Sequence, residues 1–440
     1  MQFTSKEIRH ITYPVLISLL MQQLIGLTDT AYLGRVGEVE LGASAVASMY
    51  YLAIYMLGFG FSVGAQILIA RRNGEKQYHR IGAIFTQGTL FLLVIATCVF
   101  ILSKVYSPQL LHLMIKSKDV YHAAIDYMDW RVYGFFFSFI SIMFRAFYIG
   151  TTQTKILTIN SIVMVLTNMI LNYILIFGKC GFPTMGIAGA AIASSISEAV
   201  SVVFFCLYTH QKVNYKLYKL FHFTGFKIKT LFEILNVSFW TMLQSFISTG
   251  SWLVFFIAIE HLGERSLAIT NIVRNTSALL FIFVNAFAST GSSLVSNLIG
   301  NGEIKRVMPL CNNIIKNCYY FIIPLALTIA IFPTMFLRIY TDTPDLIVNA
   351  LPSLWVMLSA YIVAVPAFVY FFAVSGTGST RSTLFIELCS LCIYVGYIVY
   401  IAVYLKMDVA ICWTSDIVYY AMIFTSFFYL WKGNWQNKKI

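Results

Sequence analysis

Charge is scarce in this sequence. Asp, Glu, Lys and Arg make up 11% of the 440 residues, against 59% hydrophobic residues, and the mean hydropathy is +0.78. A soluble domain carries roughly 25% charged residues. So few charges cannot cover a soluble protein of this length, which excludes a soluble enzyme. No G-x-x-x-x-G-K-[ST] phosphate loop occurs, so ATP is not the evident energy source. The alternation of a lipid-facing β-barrel is missing too. The apolar runs are unbroken, and many reach the roughly 20 residues that a bilayer-spanning helix needs. Eight cysteines occur, nearly all inside apolar runs, so they read as packing. Cys389 and Cys392 have metal-ligand spacing but share such a run, and no metal site is expected. No cleaved leader is expected either: "MQFTSKEIRHITYP" is a short polar, basic lead-in to a helix without a small-residue cleavage site.

What is present is an all-α polytopic membrane protein. Hydropathy predicts twelve spans, near 12–33, 43–70, 80–103, 124–149, 156–178, 186–209, 230–258, 266–292, 309–333, 346–374, 382–405 and 409–431. With both termini in the cytoplasm, nineteen Lys and Arg fall in inside loops and eight in outside loops. Arg131, Arg145 and Arg274 fall within spans. That bias supports the orientation. It also accounts for the net charge of +12 through contact with anionic lipid headgroups, without nucleic acid.

The chain repeats itself. "GTTQTK" at 150–155 returns as "GTGSTR" at 376–381, 226 residues on, and "VGEVEL" at 36–41 lies over "LGERSL" at 262–267 at the same spacing. "NGEKQYHR" at 73–80 matches "NGEIKRV" at 301–307 at 228, and "TMGIAGAAIAS" at 184–194 faces a weaker "KMDVAICWTSD" at 406–416. Four matches in one order read as an internal duplication. Six spans separate the copies, so both halves enter the membrane in the same sense. The expected organisation is two pseudo-symmetric six-helix bundles: an N-lobe over 1–209, a basic linker over 210–229 and a C-lobe over 230–440. The repeated phrase reads as a tight turn whose Gly permits the bend. A duplicated twelve-span chain suggests a transporter with its site near the midplane.

An ionisable residue inside the membrane is a functional hypothesis by default, because it costs about 2.5–3.5 kcal/mol at a helix centre. Asp29, Glu198, Glu387 and Asp416 qualify. Asp29 shares its span with Pro14, where a lost backbone hydrogen bond can bend the helix. Asn168 and Asn172 stand four residues apart, on one face of the fifth span. Ser194 lies one turn before Glu198. Glu198 reads equally as a second carboxylate or as a partner of Arg131 or Arg145. Glu387 and Asp416 lie within two turns of span ends, where water is easier to reach, so they read as structural. Burial disfavours the charged form of a carboxylate, so a sheltered acid can exchange a proton near neutral pH; surrounding amide and carbonyl oxygens can instead hold sodium. One charge crossing 100 mV supplies about 2.3 kcal/mol. The many Phe, Tyr and Met side chains suit a cavity for flat or lipophilic cations, although each singly reads as packing.

The run "ITYPVLISLLMQQLIGLTDTAYLGRVGEVELGASAVA", the "GTTQTK" turn and "NMILNYILIFG…GFPTMGIAGAAIAS" together resemble the multidrug and toxic compound extrusion (MATE) transporters over almost the whole chain. The resemblance implies antiport of cationic or amphipathic organic compounds against H⁺ or Na⁺, with no other cofactor, by a monomer in a bacterial-type inner membrane. Against the DinF-like branch, the coupling Asp of the first span falls on Asp29, its bending proline on Pro14, and its Asn/Asp pair on Asn168 and Asn172. The second of the pair is Asn here, so one carboxylate of that pattern is missing. Ser194 and Glu198 are the secondary candidates. "VSFWTMLQSFISTGSW" lacks the acid that other branches carry early in the seventh span. A lipid-linked oligosaccharide flippase of the same superfamily is the alternative, suggested by Arg131 and Arg274.

Overall fold

The computed structural model describes residues 3–115, 117–221, 225, 227–341, 343–433 and 435–436. Lys116, Lys438 and Lys439 of the loop-charge comparison, and 222–224 and 226 of the expected linker, lie outside the described residues. The described residues form helices and turns with no strand. The long helices are α1 (Ser5–Leu33), α2 (Glu38–Gly74), α3 (Tyr78–Met114), α4 (Lys118–Arg131), α5 (Gly134–Gly150), α6 (Lys155–Phe177) and α7 (Gly186–Lys212). A short α8 (Tyr215–Tyr218) leads to α9 (Ile228–Glu260), α10 (Glu264–Gly300), α11 (Val307–Ile331) and a short α12 (Pro333–Leu337). The chain continues through α13 (Pro344–Gly376), α14 (Thr380–Val399), α15 (Val409–Cys412), α16 (Thr414–Ile423) and α17 (Ser426–Trp431). Eleven spans among the described residues are long and apolar enough to cross a bilayer. The pair α4–α5, bent by 52°, supplies a twelfth. The expected fourth span is therefore a broken one.

The chain divides into two compact units, Met1–Leu16 with Leu243–Ile440, and Ile17–Met242. The division falls inside α1 and α9, not in the loop 210–229. It follows packing, which a continuous helix can change along its length, and not chain connectivity. In the unit Ile17–Met242, α2, α5 and α7 pack around a buried aromatic core that includes Phe135, Phe139, Phe144, Phe147 and Phe205. In the other unit α10 and α13 form the centre, with Phe255, Phe287, Tyr361 and Trp413 among the buried large side chains.

The repeat has a packing cause. Gly150 ends α5 and Gly376 ends α13, so neither glycine makes the turn as expected. Both are close-approach positions. A Cβ on Gly150 would lie 3.1 Å from the carbonyl oxygen of Gln66 and 2.7 Å from Ile69, and a Cβ on Gly376 would collide with the carbonyl of Ser292. Gln66 and Ser292 are themselves 226 residues apart, so both copies press the same two helix positions together. The bend comes two residues later, at Thr152 (φ 62°) and Gly378 (φ 85°). The hydroxyls of Thr151 and Thr377 then donate to the carbonyls of Phe147 (2.8 Å) and Val374 (2.7 Å). The "NGE" match at spacing 228 is not structural. α2 and α10 end at Gly74 and Gly300, and their left-handed residues are Lys76 and Gly302, so the register stays at 226.

Gly376→Ala is expected to destabilise the purified protein by about 1–3 kcal/mol, since backbone must move to admit the methyl group. Gly378→Thr is expected to cost about 1–2 kcal/mol, from forcing a β-branched residue into the left-handed region, while Thr152→Gly is tolerated. Thermal unfolding in detergent checks the order.

Candidate functional site

Three polar stripes meet inside the unit Ile17–Met242. Ser18, Gln22, Ile25 and Asp29 recur on α1 at steps of three and four residues, which places them on one helix face. Asn160, Met164, Asn168 and Asn172 do the same on α6, and Ser194, Glu198, Ser201 and Phe205 on α7. A helix in lipid satisfies its own backbone but not its polar side chains, so such stripes turn towards one another.

At one end they close a ring. The Asn172 side-chain amide donates to Asp29 Oδ1 at 2.5 Å and to Asn168 Oδ1 at 3.0 Å. Ser194 Oγ donates to Asp29 Oδ2 at 3.3 Å and accepts from the Asn168 amide at 3.2 Å. Asn168 and Asn172 are fully buried, Ser194 is buried, and Asp29 is half-buried. Asn172 Oδ1 is buried with no hydrogen-bond partner. Among the described residues no Lys or Arg forms an ion pair with Asp29. The ring is thus one carboxylate held by neutral donors, with a spare amide oxygen beside it. That set can accommodate a proton or a small hard cation.

Glu198 does not join the ring. Arg131, at the end of α4 where the fourth span breaks, grips it through two hydrogen bonds of 2.7 and 3.0 Å. The Tyr51 hydroxyl donates to the same carboxylate at 3.2 Å, and the Arg131 guanidinium lies 3.6 Å from the Tyr51 ring centroid. Of the partners left open by the sequence, Arg131 is the one chosen. Arg145 is left with the Ser18 hydroxyl at 3.4 Å and no carboxylate partner among the described residues.

Below the ring lies a cavity of about 220 Å³, lined by Ser18, Gln22, Tyr55, Arg145, Asn160 and Glu198 among others. Asn160 donates to Ser201 Oγ at 2.8 Å, and its own Oδ1 is unpartnered. Ser18, Gln22, Tyr51 and Asn160 were not singled out from the sequence. The shared period of the three stripes is the signal that finds Ser18, Gln22 and Asn160; Tyr51, on α2, belongs to none of them.

In the other unit, Glu387 and Asp416 are buried, not within reach of water as expected. Glu387 Oε1 accepts from Ser248 and, at 2.8 Å, from Tyr419. Ser248 belongs to the acid-free stretch of α9, so a carboxylate from α14 reaches that helix instead. Arg274 is likewise buried, beside Phe256 and with Asp416 as its electrostatic partner.

A family model described as MatE matches residues 14–174 and again 241–401, once per repeat. A relative described as a probable multidrug resistance protein NorM from Thermotoga maritima is 23% identical over 99% of this chain and 94% of its own length. Another of that description, from Mannheimia succiniciproducens, is 24% identical over 67% of this chain, which spans 64% of that relative's length. A MOP-superfamily transporter from Pyrococcus furiosus superposes with a TM-score of 0.88 at 17% identity, covering 97% of this chain and 95% of that one.

The ring geometry makes Asn172→Asp informative. Two carboxylates at this distance cannot both stay ionised without a cation between them. The variant is expected to be less stable than the parent at about pH 8 and to recover as pH falls to about 5 or as sodium is added. Melting temperatures across that range check it.

Proposed function

The chain belongs to the MatE family, and from that premise we propose that it is a secondary antiporter, not an enzyme. It exports cationic or amphipathic organic compounds in exchange for H⁺ or Na⁺. One observation carries the reading: Asp29 is a half-buried carboxylate in the spanning region with no ion-pair partner among the described residues and a ring of Asn168, Asn172 and Ser194 around it. A charge there is costly unless something neutralises it. The transported ion does so. When a proton is the ion, the protonated Asp29 needs an acceptor, and the spare Asn172 Oδ1 supplies one if the amide turns over. When sodium is the ion, the same oxygens are its ligands.

Neutralisation of Asp29 acts on α1. Pro14 lies about 22 Å along the helix from Asp29, two residues before the Leu16/Ile17 division between the compact units. That position suits a hinge. Pockets for drug-sized ligands occupy about 300–1,000 Å³; the cavity beside α1 is smaller, so α1 must move outward to admit a substrate and inward to expel it. The protein works as a monomer of the DinF-like kind in a bacterial-type inner membrane. Both termini face the cytoplasm, and 210–229 links the two halves of the duplication, lobes 1–209 and 230–440, while the packing boundaries lie at 16/17 and 242/243.

Asp29→Asn, reconstituted in proteoliposomes, is expected to lose at least tenfold of the export driven by an imposed proton or sodium gradient while inserting and folding normally. Undiminished gradient-driven export in that variant would rule the role out. A second reading, lipid-linked oligosaccharide flipping, is favoured by Arg145, a cation of the cavity lining that has no carboxylate partner among the described residues. Arg131 no longer supports it, being committed to Glu198. Translocation of a pyrophosphate-linked lipid that Arg145→Gln abolishes and Asp29→Asn spares would establish the flippase instead.

A further inference from the structure

A second cavity, of about 370 Å³, lies in the unit Ile17–Met242 at the end that carries Lys219 and Lys227. Its walls come from the first turns of two helices. His79 and Arg80 open α3, and Lys229 and Thr230 open α9. The backbone N–H groups of a helix's first turn have no intrahelical partner, which favours an anion there. Arg80, Lys219, Lys227 and Lys229 add four cations, none with a carboxylate at ion-pair distance among the described residues. Arg72, also on the wall, is held by Glu75 at 2.7 Å, and Glu233 is the carboxylate of the lining. Four cations around one small space repel each other and are relieved by a bound anion.

Gln87 gives the second, independent observation. It lines the same cavity yet is only 2% exposed. Its amide donates to the Gly225 carbonyl at 2.8 Å, which fixes which way the group points. Gln87 Oε1 is then a buried acceptor with no partner. A fully ionised phosphate cannot satisfy it, because it has no hydrogen to give. A hydroxyl can.

We infer that this cavity binds a phosphate ester carrying a free hydroxyl, with the phosphate on the four cations and the hydroxyl donated to Gln87. A glycerophosphate unit has this chemistry. It is available as the headgroup of an anionic phosphoglycerol lipid or as a soluble polyol phosphate. The site is separate from the Asp29 ring and does not depend on the antiport reading.

The test titrates the full-length protein in detergent with four probes: dihexanoyl-phosphatidylglycerol, dihexanoyl-phosphatidate, dihexanoyl-phosphatidylcholine and glycerol-1-phosphate. Binding is read as a saturable rise in melting temperature. Phosphatidylglycerol is expected to bind and phosphatidylcholine not. The exposed double variant Lys227→Gln/Lys229→Gln is expected to raise the half-saturating concentration at least tenfold without lowering the unliganded melting temperature. Gln87→Leu is expected to remove the preference for phosphatidylglycerol over phosphatidate. Should glycerol-1-phosphate match the lipid, the natural ligand is soluble; should only the lipid bind, it is the membrane. Equal response to phosphatidylcholine, no saturable response to any phosphate probe, or indifference to the lysine substitutions overturns the site.

Discussion

Inside a bilayer no water is available to solvate a polar side chain, and the interior of this protein is arranged around that shortage. Helices α1, α6 and α7 each carry a row of polar residues at helical spacing, with an acid on α1 and on α7 and asparagines on α6. Facing lipid, those rows would cost several kcal/mol per charged group. Facing one another, they form a ring at Asp29, an Arg131–Glu198 pair below it and a polar cavity beside both. Two of the buried side-chain oxygens without a hydrogen-bond partner, Asn172 Oδ1 and Asn160 Oδ1, lie on this interior. Groups left waiting for a partner in a closed space mark where something else binds.

The duplication works at the level of backbone contact. A helix end cannot approach another helix's carbonyl closely if a Cβ intervenes. Gly150 and Gly376 meet that need against Gln66 and Ser292 in the two halves. The rest of the phrase could drift, and it did: the left-handed position is Thr152 in one copy and Gly378 in the other. What persisted across 226 residues is the close contact and the threonine that follows it, while the residue at the bend changed.

Much of this was legible before any coordinates. Hydropathy located the eleven spans found among the described residues and the bent α4–α5 pair, because the apolar runs are separated by polar and Gly-rich breaks. The four-residue spacing of Asn168 and Asn172 announced a shared face, and Asp29, Asn168, Asn172 and Ser194 do meet. Three things were not legible. Which arginine Glu198 would take depends on the break at 131–134, and a hydropathy profile does not register a bend between two apolar segments. The burial of Glu387 and Asp416 depends on how α14 and α16 rotate, which distance from a helix end does not fix. The true register of the "NGE" repeat depends on where α2 and α10 stop, and three identical residues misled by two positions.

The charges inside the unit Ile17–Met242 bear on how the proposed exchange would couple. Around the ring and the cavity, Asp29 and Glu198 are balanced by Arg131 and Arg145, so this part of the interior is formally neutral while Asp29 is ionised. Loading a proton or sodium on Asp29 leaves one positive charge in excess, carried by Arg145, which forms no ion pair among the described residues. Two unit charges about 10 Å apart at an effective dielectric of about 20 interact by roughly 1.7 kcal/mol, more than tenfold in affinity. An organic cation in the cavity is therefore disfavoured by the ion, and by thermodynamic linkage the ion is disfavoured equally by the cation. Mutual exclusion of two cations is what antiport requires. An anionic substrate would reverse the sign and bind together with the ion. The same four charged residues that leave the flippase reading open at Arg145 thus favour, for an exchanger, a substrate that is positive.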